Sequence, residues 1–156
     1  MKKLFTLLFI LASVICNAQT VFSFKEFSKD SLEAIEKKFI SAIDSRKGFV
    51  SAFPFPERHE EVLQHWSDLH STFQKYLQDH KFLFETDTKL FLRFYFYKDG
   101  TIARVGYNLK DSMENETRLK FENHLASFSN MHNFGMKAQQ PYAQCGTVTY
   151  KKNDKQ

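Results

Sequence analysis

Cysteine is scarce in this chain, with two in 156 residues. Cys16 lies in an N-terminal apolar run that reads as removable, which leaves Cys145 with no partner for an intramolecular disulfide. The core must then supply the stability unaided. Glycine is also sparse: five residues are too few for phosphate-cradling loops, and no Gly-x-Ser-x-Gly elbow occurs. No sign of charge dominates, since 22 basic residues face 18 acidic ones, and so small an excess argues against a nucleic-acid footprint. Internal repeats and low-complexity segments are lacking. The longest apolar run, Leu4–Ile15, falls short of the roughly 20 residues that a membrane-spanning helix needs.

That run has a different reading. Lys2 and Lys3 precede it, and Cys16-Asn17-Ala18 follows it with small residues at the −3 and −1 positions of a signal peptidase. Residues 1–18 are therefore read as a secretory signal peptide, cut between Ala18 and Gln19, and the product as periplasmic or secreted. Ile15, bulky and β-branched, sits where lipoprotein processing wants a small residue, so Cys16 is not read as a lipid anchor. Cleavage removes Lys2 and Lys3 and leaves no membrane span. Phenylalanine is abundant, with 18 in the chain, which points to a packed domain rather than disorder.

Asp30-Ser31-Leu32-Glu33 fits a capping box, and Leu32, Ile35, Phe39, Ile40 and Ile43 follow at helical spacing. The pattern predicts a first helix that Gly48 ends. Residues 49–56, with Pro54 and Pro56, read as an extended connector whose Phe residues tuck back. Val62, Trp66, Leu69, Phe73, Tyr76, Leu77 and His80 predict the apolar face of a second helix. Asp111-Ser112-Met113-Glu114 predicts a third, carrying Phe121, Leu125 and Phe128, and 143–150 reads as a last strand.

Two strand-like runs flank Lys98-Asp99-Gly100, and Asp-Gly favours a two-residue hairpin loop. The register that follows sets Phe96 opposite Ala103, Phe94 opposite Val105, Leu92 opposite Tyr107 and Leu90 opposite Leu109, an oily face throughout. The other face pairs Tyr97 with Ile102, Tyr95 with Arg104, Arg93 with Gly106 and Phe91 with Asn108. A one-residue slip would mix the two sets. The expected fold is α+β, in the order α-α-β-β-α-β: a three-stranded antiparallel sheet with helices packed on one face. Residues 19–56 form an N-terminal helix and connector, 57–150 the main domain and 151–156 a flexible tail.

The order helix, strand, Asp-Gly turn, strand, helix, strand resembles the C-terminal domain of TonB-like proteins. Phe94-Tyr95-Phe96-Tyr97-Lys98-Asp99-Gly100-Thr101-Ile102, the helix around Phe121–Phe128 and the return from Phe134 to Tyr150 carry the resemblance. It covers residues 57–150 and implies a fold and a protein-binding role. Family members resemble one another in a retained inner-membrane helix and a long Pro-rich spacer, which this chain does not share, and no functional residue carries over. The ending Ala143–Tyr150 also looks like that of small exported envelope proteins.

Catalytic and metal chemistry find little support. Glu61, His65 and Asp68 fall on one helical face, but His59-Glu60-Glu61-Val62-Leu63 is not zinc-protease spacing, and a solvated polar face accounts for them. His124 and His132 straddle a helix end. Cys145 has no neighbouring base in sequence and reads as a small buried apolar residue. No catalytic residue, cofactor or metal is assigned. The candidate binding face is Phe91, Arg93, Tyr95, Tyr97 and Arg104, where aromatic rings interleave with guanidinium groups; cross-strand Tyr–Arg stacking, or cover from the first helix (Leu32–Ile43), is the competing account. Sequence thus points to a non-enzymatic module that binds an envelope protein or peptide, through that face or by strand addition at a sheet edge. A carrier of an apolar or glycan ligand is the alternative, and a metal-dependent hydrolase built on His65 a weaker one. No nucleic-acid partner is expected, and the oligomeric state is left open.

Overall fold

The computed structural model describes residues 21–44, 50–51, 55–109 and 113–152. The expected signal peptide with its Ala18–Gln19 boundary, the helix end at Gly48, part of the Pro/Phe-rich connector, Asp111-Ser112 and the final four residues lie outside this set. The elements are β1 (Val21–Ser23), α1 (Lys29–Glu36), β2 (Ile40–Ser41), β3 (Ile43–Asp44), β4 (Val50–Ser51), α2 (His59–Asp79), β5 (Thr88–Phe96), β6 (Ile102–Leu109), α3 (Asn115–Met131) and β7 (Tyr142–Tyr150). No helix among the described residues is long and apolar enough to cross a membrane.

The sheet is five-stranded and mixed, in the order β1-β6-β5-β7-β2, and corrects the expected three-stranded antiparallel sheet. The antiparallel trio β6-β5-β7 forms its centre. Parallel strands flank it, β1 on β6 and β2 on β7. At three and two residues these additions are too short to show periodicity. Ile40 reads as helical in sequence because it stands eight residues after Leu32 and three before Ile43, on the face that Ile35 and Phe39 share. Instead its N–H donates to the Pro141 carbonyl at 3.1 Å, and Ala42 N–H to the Ala143 carbonyl at 2.7 Å. Pairing with β7 thus overrides helical spacing, and α1 stops at Glu36. Its N-cap is Ser28, whose hydroxyl accepts the Ser31 N–H at 3.2 Å, rather than Asp30, which lies in the first turn where a carboxylate complements the helix dipole.

The helices also lie on both sides of the sheet, not one. On one side Leu90, Leu92, Phe94 and Phe96 are fully buried with Val62 and Phe73 of α2 and Phe121, Leu125 and Phe128 of α3. Each such side chain contributes about 1.5–3 kcal/mol by leaving water. On the other side Phe22, Ile35, Tyr95 and Ala143 form a second cluster with Phe24, Phe27, Leu32 and Phe39 packed on it.

The hairpin register from Leu90↔Leu109 to Tyr95↔Arg104 is as the alternation predicts, but it shifts at Phe96, which faces Ile102. The cause is the turn. Tyr97 N–H donates to the Thr101 carbonyl at 2.9 Å and Gly100 N–H to the Tyr97 carbonyl at 3.0 Å, so the loop has three residues, not two. Gly100 closes it at φ +88°, a conformation that glycine adopts without strain. Ala103 becomes the unmatched residue, and Ile102 moves to the oily core.

Candidate functional site

The ring-and-guanidinium face of β5 and β6 is largely roofed. Tyr95 is 0% exposed: Phe39 meets its ring edge-on at 5.2 Å and Phe22 stacks at 6.2 Å. Glu36, in the last turn of α1, accepts the Tyr95 hydroxyl at 2.6 Å and pairs with the Arg93 guanidinium. Arg93 also lies over the Tyr95 ring at 5.5 Å. Burial first, then the Glu36 hydrogen bond, raises the Tyr95 phenol well above its ordinary range. Phe91 lies against Phe24 at 5.9 Å. These three residues are therefore the seat of α1 and the β1 segment, and the proposed face does not present them together to a partner.

Tyr97 and Arg104 lie beyond that roof. Tyr97 is 55% exposed, and both residues line a cleft of about 240 Å³ with Ala34, Ile35, Lys38, Phe39 and Ala103. The hairpin bulge shapes this cleft, because the two-residue loop would have kept Ile102 opposite Tyr97 on this side.

The second exposed feature is an edge. β2 pairs with β7 only at Tyr142 and Ala143, and among the described residues no strand continues along it from Gln144 to Tyr150. The carbonyls of Pro141 and Ala143 point toward β2. Backbone polar groups alternate sides along a strand, so those of Cys145, Thr147 and Thr149 point to the open edge. Among the described residues, the Gln144 side-chain amide donates to the Cys145 carbonyl at 3.3 Å. Above this edge stands the single tryptophan: a Cβ on Gly146 would lie 3.0 Å from the Trp66 indole nitrogen. His59, Leu63, Trp66 and His70 follow one another at 3–4 spacing along α2, and Leu63 is exposed.

The polar face of α2 is engaged with itself. Arg58 Nε donates to Glu61 at 2.7 Å, and this bond holds the Glu61 carboxyl below its ordinary range. Gln64 donates to Asp68 at 2.9 Å, while His65 packs on Phe134 at 5.8 Å. Among the described residues no three His, Cys, Asp or Glu side chains are grouped so as to hold a metal. His132 Nδ1 is 3.0 Å from the Phe128 carbonyl. His124 stands 5.8 Å from His80, and burial, helped by His80, lowers its pKa. Cys145 Sγ accepts from Arg93 at 3.7 Å, a contact within the seat of α1.

One polar pair escapes sequence reading altogether. His70 is buried, with Nδ1 at 2.9 Å from the Tyr150 hydroxyl, and its Nε2 is buried without a partner. Burial lowers its pKa to about 4 and raises that of the Tyr150 phenol. Its position, four residues after Trp66 and three before Phe73, is the sign that would have placed it on the apolar stripe.

Comparison with protein-family models, with curated proteins and with solved structures finds no match for this chain.

Proposed function

We propose that the chain is an exported, non-enzymatic binding module that takes an extended peptide segment of an envelope protein as an added strand along the open edge of β7. The observation that carries this reading is the run Cys145-Gly146-Thr147-Val148-Thr149-Tyr150: uncharged, β-prone, and covered by β2 only ahead of it. Edge strands are commonly blunted by lysine, proline, a bulge or a covering segment; this stretch contains none of these residues. A strand laid beside β7 would satisfy the outward backbone groups and set alternate side chains against the Leu63–Trp66 stripe of α2, a strand-and-helix groove of the kind that gives main-chain affinity and side-chain selectivity. Export rests on the N-terminal signal, and the resemblance to TonB-like C-terminal domains supports a protein partner.

The test is a selection of displayed peptides on the immobilised chain. Enriched sequences are then synthesised and titrated by Trp66 emission against wild type and Thr147→Pro. Proline removes an outward N–H and spares the β5 ladder, so it is tolerated at an edge. Binding should fall by about tenfold or more in Thr147→Pro, for the lost hydrogen bond and the ring's intrusion, with the far-ultraviolet circular dichroism unchanged. Failure to enrich any peptide, or equal affinity for both proteins, refutes the proposal.

A further inference from the structure

We propose that the cleft between α1 and the hairpin turn is a second site, selective for a carboxylate carried on a single aromatic ring. It lies on the α1 side of the sheet and does not rest on the strand-addition reading.

The cleft joins two cations to an apolar body. Arg104 and Lys38 both line it. Among the described residues Arg58, Arg93 and Arg118 each pair with a carboxylate, whereas Arg104 has none within ion-pair distance, nor has Lys38. A half-buried guanidinium gains from a counter-ion that replaces the water it has lost. Its planar fork matches a carboxylate through two parallel hydrogen bonds. Around this charge the walls are Ile35, Ala34, Ala103, Phe39 and the exposed ring of Tyr97. The volume of about 240 Å³ lies below the roughly 300–1,000 Å³ of sites for drug-sized ligands, which suits one ring rather than a fused system. Flat walls of Phe and Tyr favour an aromatic body over a polar one.

The architecture explains why the space exists. The three-residue turn sends Ile102 into the core and leaves Ala103 bordering the cleft. The small side chain leaves room that a larger one would fill. Two sources can supply the chemistry: a free aromatic acid, or the C-terminal carboxylate of a peptide ending in phenylalanine.

Four probes separate the possibilities: phenylacetate, phenylacetamide, Ala-Ala-Phe with a free C-terminus, and its C-terminal amide. Each is titrated at low salt into the protein, with chemical shifts of Tyr97 and Phe39 as the readout. At least one acid should saturate and bind about tenfold or more tightly than its neutral amide, the ratio expected for a charge-assisted bond. Arg104→Gln and Lys38→Gln should each weaken the acid without altering the fold, and Ala103→Leu, which leaves both charges in place, should block it. Tighter binding of phenylacetate identifies a free acid as the ligand, and tighter binding of the tripeptide acid a chain terminus. The site is overturned if neither acid saturates by about 10 mM, a limit about tenfold weaker than millimolar binding, if acid and amide bind alike, or if Arg104→Gln binds as wild type does. Thr147→Pro should leave these titrations unchanged, so the two sites fail separately.

Discussion

Glu36 is the side chain on which the roofed face of the sheet depends, and its removal tests whether α1 is docked as described. The carboxylate accepts the Tyr95 hydroxyl at 2.6 Å and pairs with Arg93. The Arg93 side chain is 18% exposed and that of Glu36 35%. In Glu36→Ala the Arg93 charge keeps its place with Cys145 Sγ and the Tyr95 hydroxyl as its polar neighbours, and that buried hydroxyl loses its acceptor. A fully buried ion pair broken on one side costs about 3–5 kcal/mol. Glu36 retains access to water, so a discounted loss of about 2–3 kcal/mol is expected, composed of one charge-assisted bond and one orphaned hydroxyl.

The internal control lies three residues away on the same helix. Glu33 pairs with Lys37 at 2.9 Å, but both side chains are more than half exposed, at 58% and 73%, and an exposed pair is worth about 0.5 kcal/mol or less. Urea unfolding followed by circular dichroism should therefore rank Glu36→Ala well below Glu33→Ala. A double-mutant cycle of Glu36→Ala with Tyr95→Phe should return a coupling of about 1 kcal/mol. Equal midpoints for the Glu36 and Glu33 variants, with zero coupling to Tyr95, would mean that α1 does not seat on Arg93 and Tyr95, and the account of the covered face would fall.

Two further outcomes follow from buried geometry. His70 has a folded pKa of about 4 against an ordinary 6.5, so the folded state binds its proton less readily than the unfolded state. The neutral ring's contribution is complete above pH 6.5 and is lost progressively as pH falls toward 4, about 3 kcal/mol in all at 1.36 kcal/mol per unit. Urea midpoints measured across this window should flatten in His70→Gln, and an unchanged slope would show that another group sets it. Gly100→Ala should destabilise the hairpin by about 1–2 kcal/mol for the left-handed backbone alone, and by more because the new Cβ would meet the Met136 carbonyl oxygen at 2.8 Å. A thermal midpoint equal to wild type would contradict the three-residue turn.

The parts of this fold that sequence reveals are those where two constraints agree. Alternation through Leu90–Phe94 and Val105–Leu109 and the Asp-Gly turn independently choose one pairing, because a slip would expose an entire oily face. Where one constraint stands alone, the reading drifts. Helical spacing at Ile40 yields to a hydrogen bond with Pro141, which no local pattern encodes. Val21-Phe22-Ser23 is too short to announce a strand, yet it pairs with Val105–Tyr107. Asp99-Gly100 identifies the turn but not its length, and that one residue decides whether Ile102 or Ala103 borders Tyr97. The candidate face was legible as a pattern of Arg and aromatic side chains. Cover from the first helix was legible as the competing account, and it is what the structure bears out; the particular contacts of Glu36 and Phe39 with Arg93 and Tyr95 were not, since they span more than fifty residues of sequence.

The same short strands explain why the open surface lies where it does. β1 covers β6 at Val105–Tyr107, and Phe24 N–H extends the ladder to the Tyr107 carbonyl at 3.0 Å. Arg118 of α3 then ties down Glu26 just beyond β1 at 3.3 Å. At the other edge β2 stops after Ser41, and the backbone groups of Cys145, Thr147 and Thr149 extend past it. Lengthening β2 would cover exactly the groups that an incoming strand requires, and a longer, fully paired edge would also close the groove beneath Leu63 and Trp66. Among the described residues, the brevity of β2 is thus the condition that the proposed strand addition requires, since only an uncovered ladder can hydrogen-bond a partner's backbone.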